Sequence, residues 1–309
     1  MHRSRAFQAL LVGLGVALLV GGLVAPRLLL ANARLPLSLG EATWTLTDDN
    51  GKRQGQPAPV TRQLHMEIRN PSDEDTAAVR VGDTLRAGKA GTDFDNLITA
   101  STWSFALDRE TAEVRDPAEV QLVMGMPAEQ VLIDAPWLTF PANVEQRAYD
   151  VFDPTLRTSA PAEFVGEEEI AGRTVYRFRQ VIAPVNVAQL YADARNTTYL
   201  PGPEGEPQRA FYFHSAEREL LVDRISGLVV GINEKVDDFY GDAAGRGIEN
   251  IVMYDAEMDT AQVTELVQAV SGVAPASRAH TIARIVAALG ALLTALGAFL
   301  AVRFSRARR

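Results

Sequence analysis

Carboxylates are the only side chains in this sequence numerous enough to supply chemistry: 39 Asp and Glu stand against four histidines and no cysteine. Asp255, Glu257 and Asp259 alternate, so in a strand they share one face and offer oxygen ligands to a hard cation. Asp93 with Asp95, and Glu167-Glu168-Glu169, raise the same question. None has EF-hand spacing and a solvated acidic edge accounts for each, so no metal site is assigned. Glycoside hydrolysis needs only two carboxylates flanking the sugar bond, but nothing in the spacing selects the pair. His2, His65, His214 and His280 stand apart without an H-E-x-x-H pair, which removes the usual zinc chemistry; His65 and His214 read as ordinary strand residues. Without cysteine there is no disulfide, thiolate metal site or cysteine nucleophile. No G-x-S-x-G elbow, Walker loop or dinucleotide glycine fingerprint is present. We therefore assign no catalytic residue, cofactor or metal, and expect a protein that is not an enzyme. Asn196-Thr197-Thr198 fits a glycosylation acceptor, a three-residue motif of little weight.

The elements that would position any site read as short strands. Trp44–Thr47, Leu64–Ile68, Ala78–Val81 and Trp103–Leu107 alternate or carry strand-forming residues between Gly, Pro, Asn and Asp clusters. Asp49-Asn50-Gly51-Lys52 predicts a tight hairpin, and Ala171-Gly172-Arg173 turns between two further runs ending at Val175–Phe178. Phe211–His214 and Leu220–Val222 lead through Ser226-Gly227 into Leu228–Gly231. Helical signals are few. Val263, Leu266, Val267 and Val270 make one stripe, with Asp259 and Gln262 as a capping box and Gly272 as a stop. Val187–Arg195 is a weaker helix, and residues 202–207 form a polar loop. The fold class expected is mainly β (α+β), an antiparallel sheet or barrel-like domain outside the cytoplasm.

Uncharged apolar runs occupy the two ends of the sequence, Ala6–Ala25 and Ile285–Val302. Each is close to the roughly 20 residues that cross a bilayer as a helix. Ala31-Asn32-Ala33 is an A-x-A cleavage site for the rival signal-peptide reading, but the first run is long for that and Pro26-Arg27 separates it from the site. We expect a retained anchor. Arg3 and Arg5 precede the first run, and Arg303, Arg306, Arg308 and Arg309 follow the second, so both termini are expected in the cytoplasm of a plasma-membrane protein. Ala9, Gly13, Ala17 and Gly21 recur every fourth residue, as do Ala283, Ala287, Ala291 and Ala295. Such small-residue stripes let two backbones approach in lipid, and here they predict docking of the two spans or of a second copy.

Residues 1–30 and 279–309 hold eight of the 30 Lys and Arg and none of the acids, leaving a middle with 22 basic and 39 acidic residues. That surface repels phosphate, so no nucleic acid partner is expected. The organisation expected is residues 1–30 as tail and helix, 31–278 as a β-rich extracytoplasmic domain, and 279–309 as helix and basic tail.

The stretch Tyr149-Asp150-Val151-Phe152-Asp153-Pro154-Thr155, then Pro161–Glu168, Ile170-Ala171-Gly172 and Val175–Phe178, with Val222-Asp223-Arg224-Ile225-Ser226-Gly227-Leu228-Val229 later, carries a family-like pattern. With the two terminal runs it resembles an actinobacterial two-span envelope family labelled the porin PorA family. Ser226 replaces the threonine usual before the glycine of the last turn. The resemblance covers most of the chain and implies a cell-envelope role, with members linked to maturation of lipomannan and lipoarabinomannan; it carries over no catalytic residue. The layout is also similar to that of class B scavenger receptors, in which two terminal spans hold a β-rich ectodomain with a lipid tunnel.

Three functions follow as expectations. The first is binding or transfer of membrane lipid or lipoglycan, with Trp137, Leu138 and Phe140 of Pro136–Pro141 lining an apolar groove. The second is a non-catalytic scaffold whose partners are envelope glycosyltransferases. The third is a carbohydrate-active enzyme using paired carboxylates.

Overall fold

The structure, a computed structural model, describes residues 2–28, 33–89, 91–92, 94–122, 127–202, 205–273 and 276–306. Asp93 and Ala31-Asn32 lie outside the described residues, as does the side chain of Ala9. The chain divides into two compact units, residues 34–272 and a helical unit of residues 1–33 with 273–309.

The larger unit holds fifteen strands among the described residues. They are β1 Glu41–Asp48, β2 Lys52–Arg53, β3 Gln56–Pro57, β4 Val60–Arg69, β5 Thr76–Ala87, β6 Leu97–Asp108, β7 Ala118–Gln121 and β8 Glu129–Val131. Then follow β9 Tyr149–Asp153, β10 Thr158–Ile170, β11 Arg173–Asn186, β12 Thr197–Pro201, β13 Pro207–Asp223, β14 Val229–Gly241 and β15 Gly247–Met258. The sheet order is β8-β7-β6-β5-β4-β1-β15-β14-β13-β11-β10-β9, antiparallel throughout, with β12 added to β13, β2 added to β15 and β3 to β2. Most connections are hairpins between neighbours, the meander that the short alternating runs predict. Phe211–His214 and Leu220–Val222 are two parts of one strand, β13, because the polar residues between them continue the same alternation.

Turn chemistry divides into one expectation met and one corrected. Ala171 and Gly172 both adopt positive φ (49° and 77°) and join β10 to β11 in a two-residue hairpin. Asn50-Gly51 instead links β1 to β2, which do not pair with each other; β1 pairs with β4 and β15. Gly51 is there for space, since a Cβ would stand 2.5 Å from Val60 Cγ2. The positive-φ hairpin is four residues later, at Gln54-Gly55 between β2 and β3.

The sheet curls until its edges meet through side chains. Arg157, after β9, reaches Glu129 of β8 at 2.7 Å, and Thr158 and Ser159 of β10 donate to Asp134 just beyond β8. The segment 132–148 runs inside the curl, where Phe140 N–H donates to Gly227 C=O and Val229 N–H to Leu138 C=O. Trp137, Leu138 and Phe140 are therefore core, at 8%, 4% and 2% exposure, and not the walls of an open groove. Trp137 meets Trp103 and Phe152 edge-on at 5.5 and 6.0 Å, and Phe140 packs on Tyr149 and Phe178. A turn at Ser226-Gly227 clamps the segment; Gly227 has φ 78°, and any Cβ there would collide with the Phe140 carbonyl.

Helix α2 spans Thr260–Ala269, counting residues His2–Leu28 as α1. Asp259 caps α2 by accepting from Ala261 N–H, but Gln262 accepts from Thr45 N–H of β1 instead of closing a capping box. Val263, Leu266, Val267 and Val270 are buried against the sheet. Val187–Arg195 forms two 3₁₀ turns, not a helix, because Asn186 and Asp193 each cap a new turn and so interrupt it.

In the helical unit, α1 packs antiparallel on α3, Ala276–Arg306. Within α3, Thr281–Phe299 is long and apolar enough to cross a membrane; the described apolar stretch of α1, Leu10–Leu23, is shorter. The contact face keeps Ala283 and Ala287 of the every-fourth stripe and departs from the rest of it. Gly13 and Gly21 face open space, Ala17 is exposed, and Ala291 and Ala295 are exposed on α3. Gly15 and Gly22 meet Ala283, Ala287, Gly290 and Thr294, where added Cβ atoms would stand 2.5 Å from Thr294 N and 2.6 Å from Ala287 N. Buried positions 15 and 22, and 283, 290 and 297, recur every seventh residue. A four-residue step over-rotates by about 40° each time at 3.6 residues per turn, so such a stripe winds off the partner, whereas seven residues drift by only about 20°. Because the chain lacks cysteine, Val12→Cys with Gly297→Cys reports this face directly. Adding Gly15→Leu or Gly290→Leu should abolish their disulfide on non-reducing gels, while Gly13→Leu and Gly21→Leu should leave it intact.

Candidate functional site

Inside the curl, charged residues occupy positions that the alternation reserves for apolar ones. Arg62 stands between Val60 and Leu64, Asp83 between Val81 and Leu85, Arg218 between Ala216 and Leu220, and Glu234 between Ile232 and Val236. All four point inward with the core residues on either side. Sequence reasoning passed over them, although a charge in the apolar phase of a strand is the signal that finds them.

Register turns these into one connected network. Arg218 faces Glu234 across β13 and β14 and donates to it at 2.9 Å; His214 faces Asp238 on the same pair at 2.6 Å. Arg62 donates to Glu234 at 2.7 Å and forks onto Asp83 at 3.0 and 3.3 Å. Arg218 also donates to Asp153 at 2.6 Å and to Gln180 at 3.0 Å. Tyr212 and Tyr254 donate to Asp238 and Glu234, both at 2.7 Å. Burial raises the pKa of Glu234, but Arg62 and Arg218 more than offset it and hold it down at about 2. For Asp153 burial is again overcome, by Arg218 and His214, which keep it well below the carboxylate range. Burial lowers the pKa of His214 while Asp238 and Asp153 raise it further, to about 9. Tyr212 and Tyr254 are pushed well above the usual phenol value, first by burial and then by those carboxylates, so they remain donors.

Two nitrogen atoms of this network, His214 Nε2 and Arg218 Nη2, are buried without a hydrogen-bond partner among the described residues. His214 Nε2 lies 3.4 Å from Asp153, within ion-pair reach. A void of about 20 Å³ beside Arg218, also bounded by Arg62, Gln180 and Glu234, has room for one water.

The network floors a larger cavity of about 270 Å³. Its lining mixes apolar Leu85, Ile98, Leu122 and Ile251 with polar Asp83, Ser101, Tyr212, Tyr254, His214 and Asp238. Also in the lining, Arg157 stacks over Tyr191 at 3.9 Å, and Tyr240 donates to the Arg195 carbonyl. Trp103 is shared between this cavity and the aromatic core, whereas Trp137, Leu138 and Phe140 are absent from its lining. Its carboxylates are tied to cations and its phenols are donors, an arrangement suited to holding hydroxyl and apolar groups.

The acidic clusters do not converge on this site. Asp255 N–H bonds Asp48, Asp259 caps α2, Asp95 closes a turn with Thr92, and Glu167, Glu168 and Glu169 bond Gln146, Arg177 and Thr174. Among the described residues no three His, Asp or Glu side chains group as a cation site. His65 bonds Thr43 on the outer face, while His214 belongs to the network and is not an ordinary strand residue.

His214 makes a pH prediction. Its folded pKa of about 9 exceeds the ordinary 6.5, so its contribution to stability is complete below pH 6.5 and is lost as pH rises through 9. Thermal unfolding followed by circular dichroism should show melting temperature falling across that window, by at most about 3 kcal/mol of stability, and His214→Gln should flatten the slope.

Comparison with known proteins places these features in a family. The model of the family described as "Porin PorA" matches residues 7–299. Among curated proteins, a "Porin PorA" of Corynebacterium resistens is 23% identical over 234 residues, 60% of this chain and 54% of that protein. A "Porin PorA" of Corynebacterium amycolatum is 29% identical over 136 residues, 42% of this chain and 35% of that protein. The chain thus spans about half or less of the length of these relatives. A match that takes in the curled sheet and parts of both terminal helices means that this chain belongs to the Porin PorA family.

Proposed function

We propose that this protein is a membrane-anchored component of the cell envelope that binds, and passes on, a lipid or lipoglycan. The observation that carries this reading is the mixed lining of the cavity: Leu85, Ile98 and Leu122 offer apolar surface in the same space as Tyr212, Asp238 and His214. An amphiphile needs both kinds of surface at once, apolar contact for acyl carbon and hydrogen-bonding groups for a hydroxylated head. The family resemblance points to lipomannan and lipoarabinomannan, whose neutral mannose residues offer the hydroxyls this lining would hold.

The anchor in this proposal is α3 paired with α1, both termini in the cytoplasm and residues 34–272 outside. Arginines flanking both apolar runs at their outer ends support that orientation. In the cysteine-free background, Ser4→Cys and Ser305→Cys should react with an impermeant maleimide only after the membrane is opened, whereas Glu257→Cys should react in intact cells.

The name of the relatives suggests a pore. A lipid-spanning barrel needs an apolar outer band, whereas outward positions here carry Arg179, Glu217 and Arg177 with Glu219, and aromatic side chains fill the interior at Trp44, Trp103 and Phe140. Those features favour binding over conduction. Native mass spectrometry on the full chain in detergent should detect a co-purified amphiphile, and Thr99→Trp, at a cavity-lining position that pairs with the inward Leu85, should release it without lowering the melting temperature. Conductance in planar bilayers with no bound amphiphile would overturn the proposal in favour of a pore. Full envelope function of Thr99→Trp in cells would favour the scaffold.

A further inference from the structure

Four cationic side chains line the cavity, and each already faces a carboxylate. Arg62 is matched by Asp83 and Glu234, His214 by Asp238 at 2.6 Å, Arg157 by Glu129 at 2.7 Å, and Arg195 by Asp193 at 2.9 Å. The two carboxylates that line the cavity, Asp83 and Asp238, are likewise each taken by a cation. The wall is a mosaic of closed ion pairs, without an uncommitted charge among its described residues. An anionic head entering it must displace a carboxylate from its guanidinium or imidazolium, and an ammonium head meets carboxylates already engaged. Either guest leaves a charge imperfectly paired in a partly dry site, which is costly.

What stays open is hydrogen-bonding capacity of neutral kind. The oxygens of Asp238 each accept once, from His214 Nδ1 and Tyr212 Oη, and retain a lone pair. Tyr212 and Tyr254 spend their single proton on the network and keep an acceptor site. Ser101 accepts from Trp103 Nε1, which leaves its own proton to give. A hydroxyl both donates and accepts, so it meets all of these without disturbing an ion pair. Leu85, Ile98 and Leu122 take carbon beside them.

We infer that the cavity selects an uncharged, polyhydroxylated head, a sugar ring carried on an alkyl or acyl chain, and turns away heads of either charge. The inference rests on the binding function proposed above and adds the class of ligand and the means of selection.

Three probes test it: octyl α-mannopyranoside, its 6-phosphate and its 6-amino-6-deoxy analogue, each below its micelle concentration. They are titrated calorimetrically into the full chain held in a polyoxyethylene detergent, which contributes no sugar. The neutral glycoside should bind, and each charged analogue should bind at least about tenfold more weakly, the equivalent of one broken charge-assisted hydrogen bond. Glu129→Gln supplies the second arm. Its carboxylate is 47% exposed, so the core is untouched, and the amide releases the charge of Arg157 while keeping an acceptor. The variant should bind the phosphate about fivefold or more tighter than wild type, with the neutral glycoside changed by less than about twofold. If either charged analogue binds as tightly as the neutral one, or Glu129→Gln leaves the phosphate unchanged, selection by closed ion pairs is wrong while the binding function survives. If none of the three probes binds, both fall.

Discussion

Buried charge must find a partner, and in this protein the partners sit on strands that are not neighbours. Arg62 of β4 and Glu234 of β14 are separated in the sheet by β1 and β15; Arg218 of β13 and Asp153 of β9 are separated by β11 and β10. In a flat sheet three strand spacings put backbones about 14 Å apart, with side chains parallel and out of reach. Contacts of 2.6 and 2.7 Å across those gaps exist only because the sheet is rolled up. The ion network and the curvature therefore imply each other. Losing one partner of such a pair strands a charge and costs about 3–5 kcal/mol, although a well-packed apolar replacement of the whole set can be neutral. Its value lies in specifying which curl forms.

The same rolling creates a polarity along the interior. At one end, Trp103, Trp137, Phe140, Phe152 and Phe178 pack with the segment 132–148 into an aromatic plug. Towards the other end, the inward positions become Asp83, Tyr212, His214, Asp238 and Tyr254, and a cavity remains. Polar side chains that are bonded sideways to one another cannot also fill the volume in front of them. A cavity over a satisfied ionic floor is the result, and it is the feature on which ligand binding is argued.

Local rules proved readable from residues alone. Alternation marked β1, β4 and β5, whose inward residues Trp44, Leu64 and Val81 are fully or nearly buried, and Ala171-Gly172 marked its hairpin. Asp259 announced α2 because an N-cap acts within one turn. Readings that required knowing a neighbour went astray. Trp137, Leu138 and Phe140 could line a groove or fill a core with equal apolarity, and the choice depends on the sheet closing round them. The every-fourth stripe Gly13-Ala17-Gly21 looked like a helix contact, yet contact follows Gly15 and Gly22, since the partner helix fixes the seven-residue seam. His214 passed for an ordinary strand residue because its partners, Asp238 and Asp153, are 24 and 61 positions away.

Sequence by itself determined the apolar ends, the acid-rich and cysteine-free middle, the β character and the membership that a family pattern can carry. Each of these depends on composition or on residues within a turn or strand of one another. Tertiary structure decided the cavity, the pairing of every charge that lines it, and the face by which the two helices meet. Those depend on register and curvature summed over many strands: Arg62 and Glu234 are 172 residues apart, and their contact is set only when the whole sheet between them has formed.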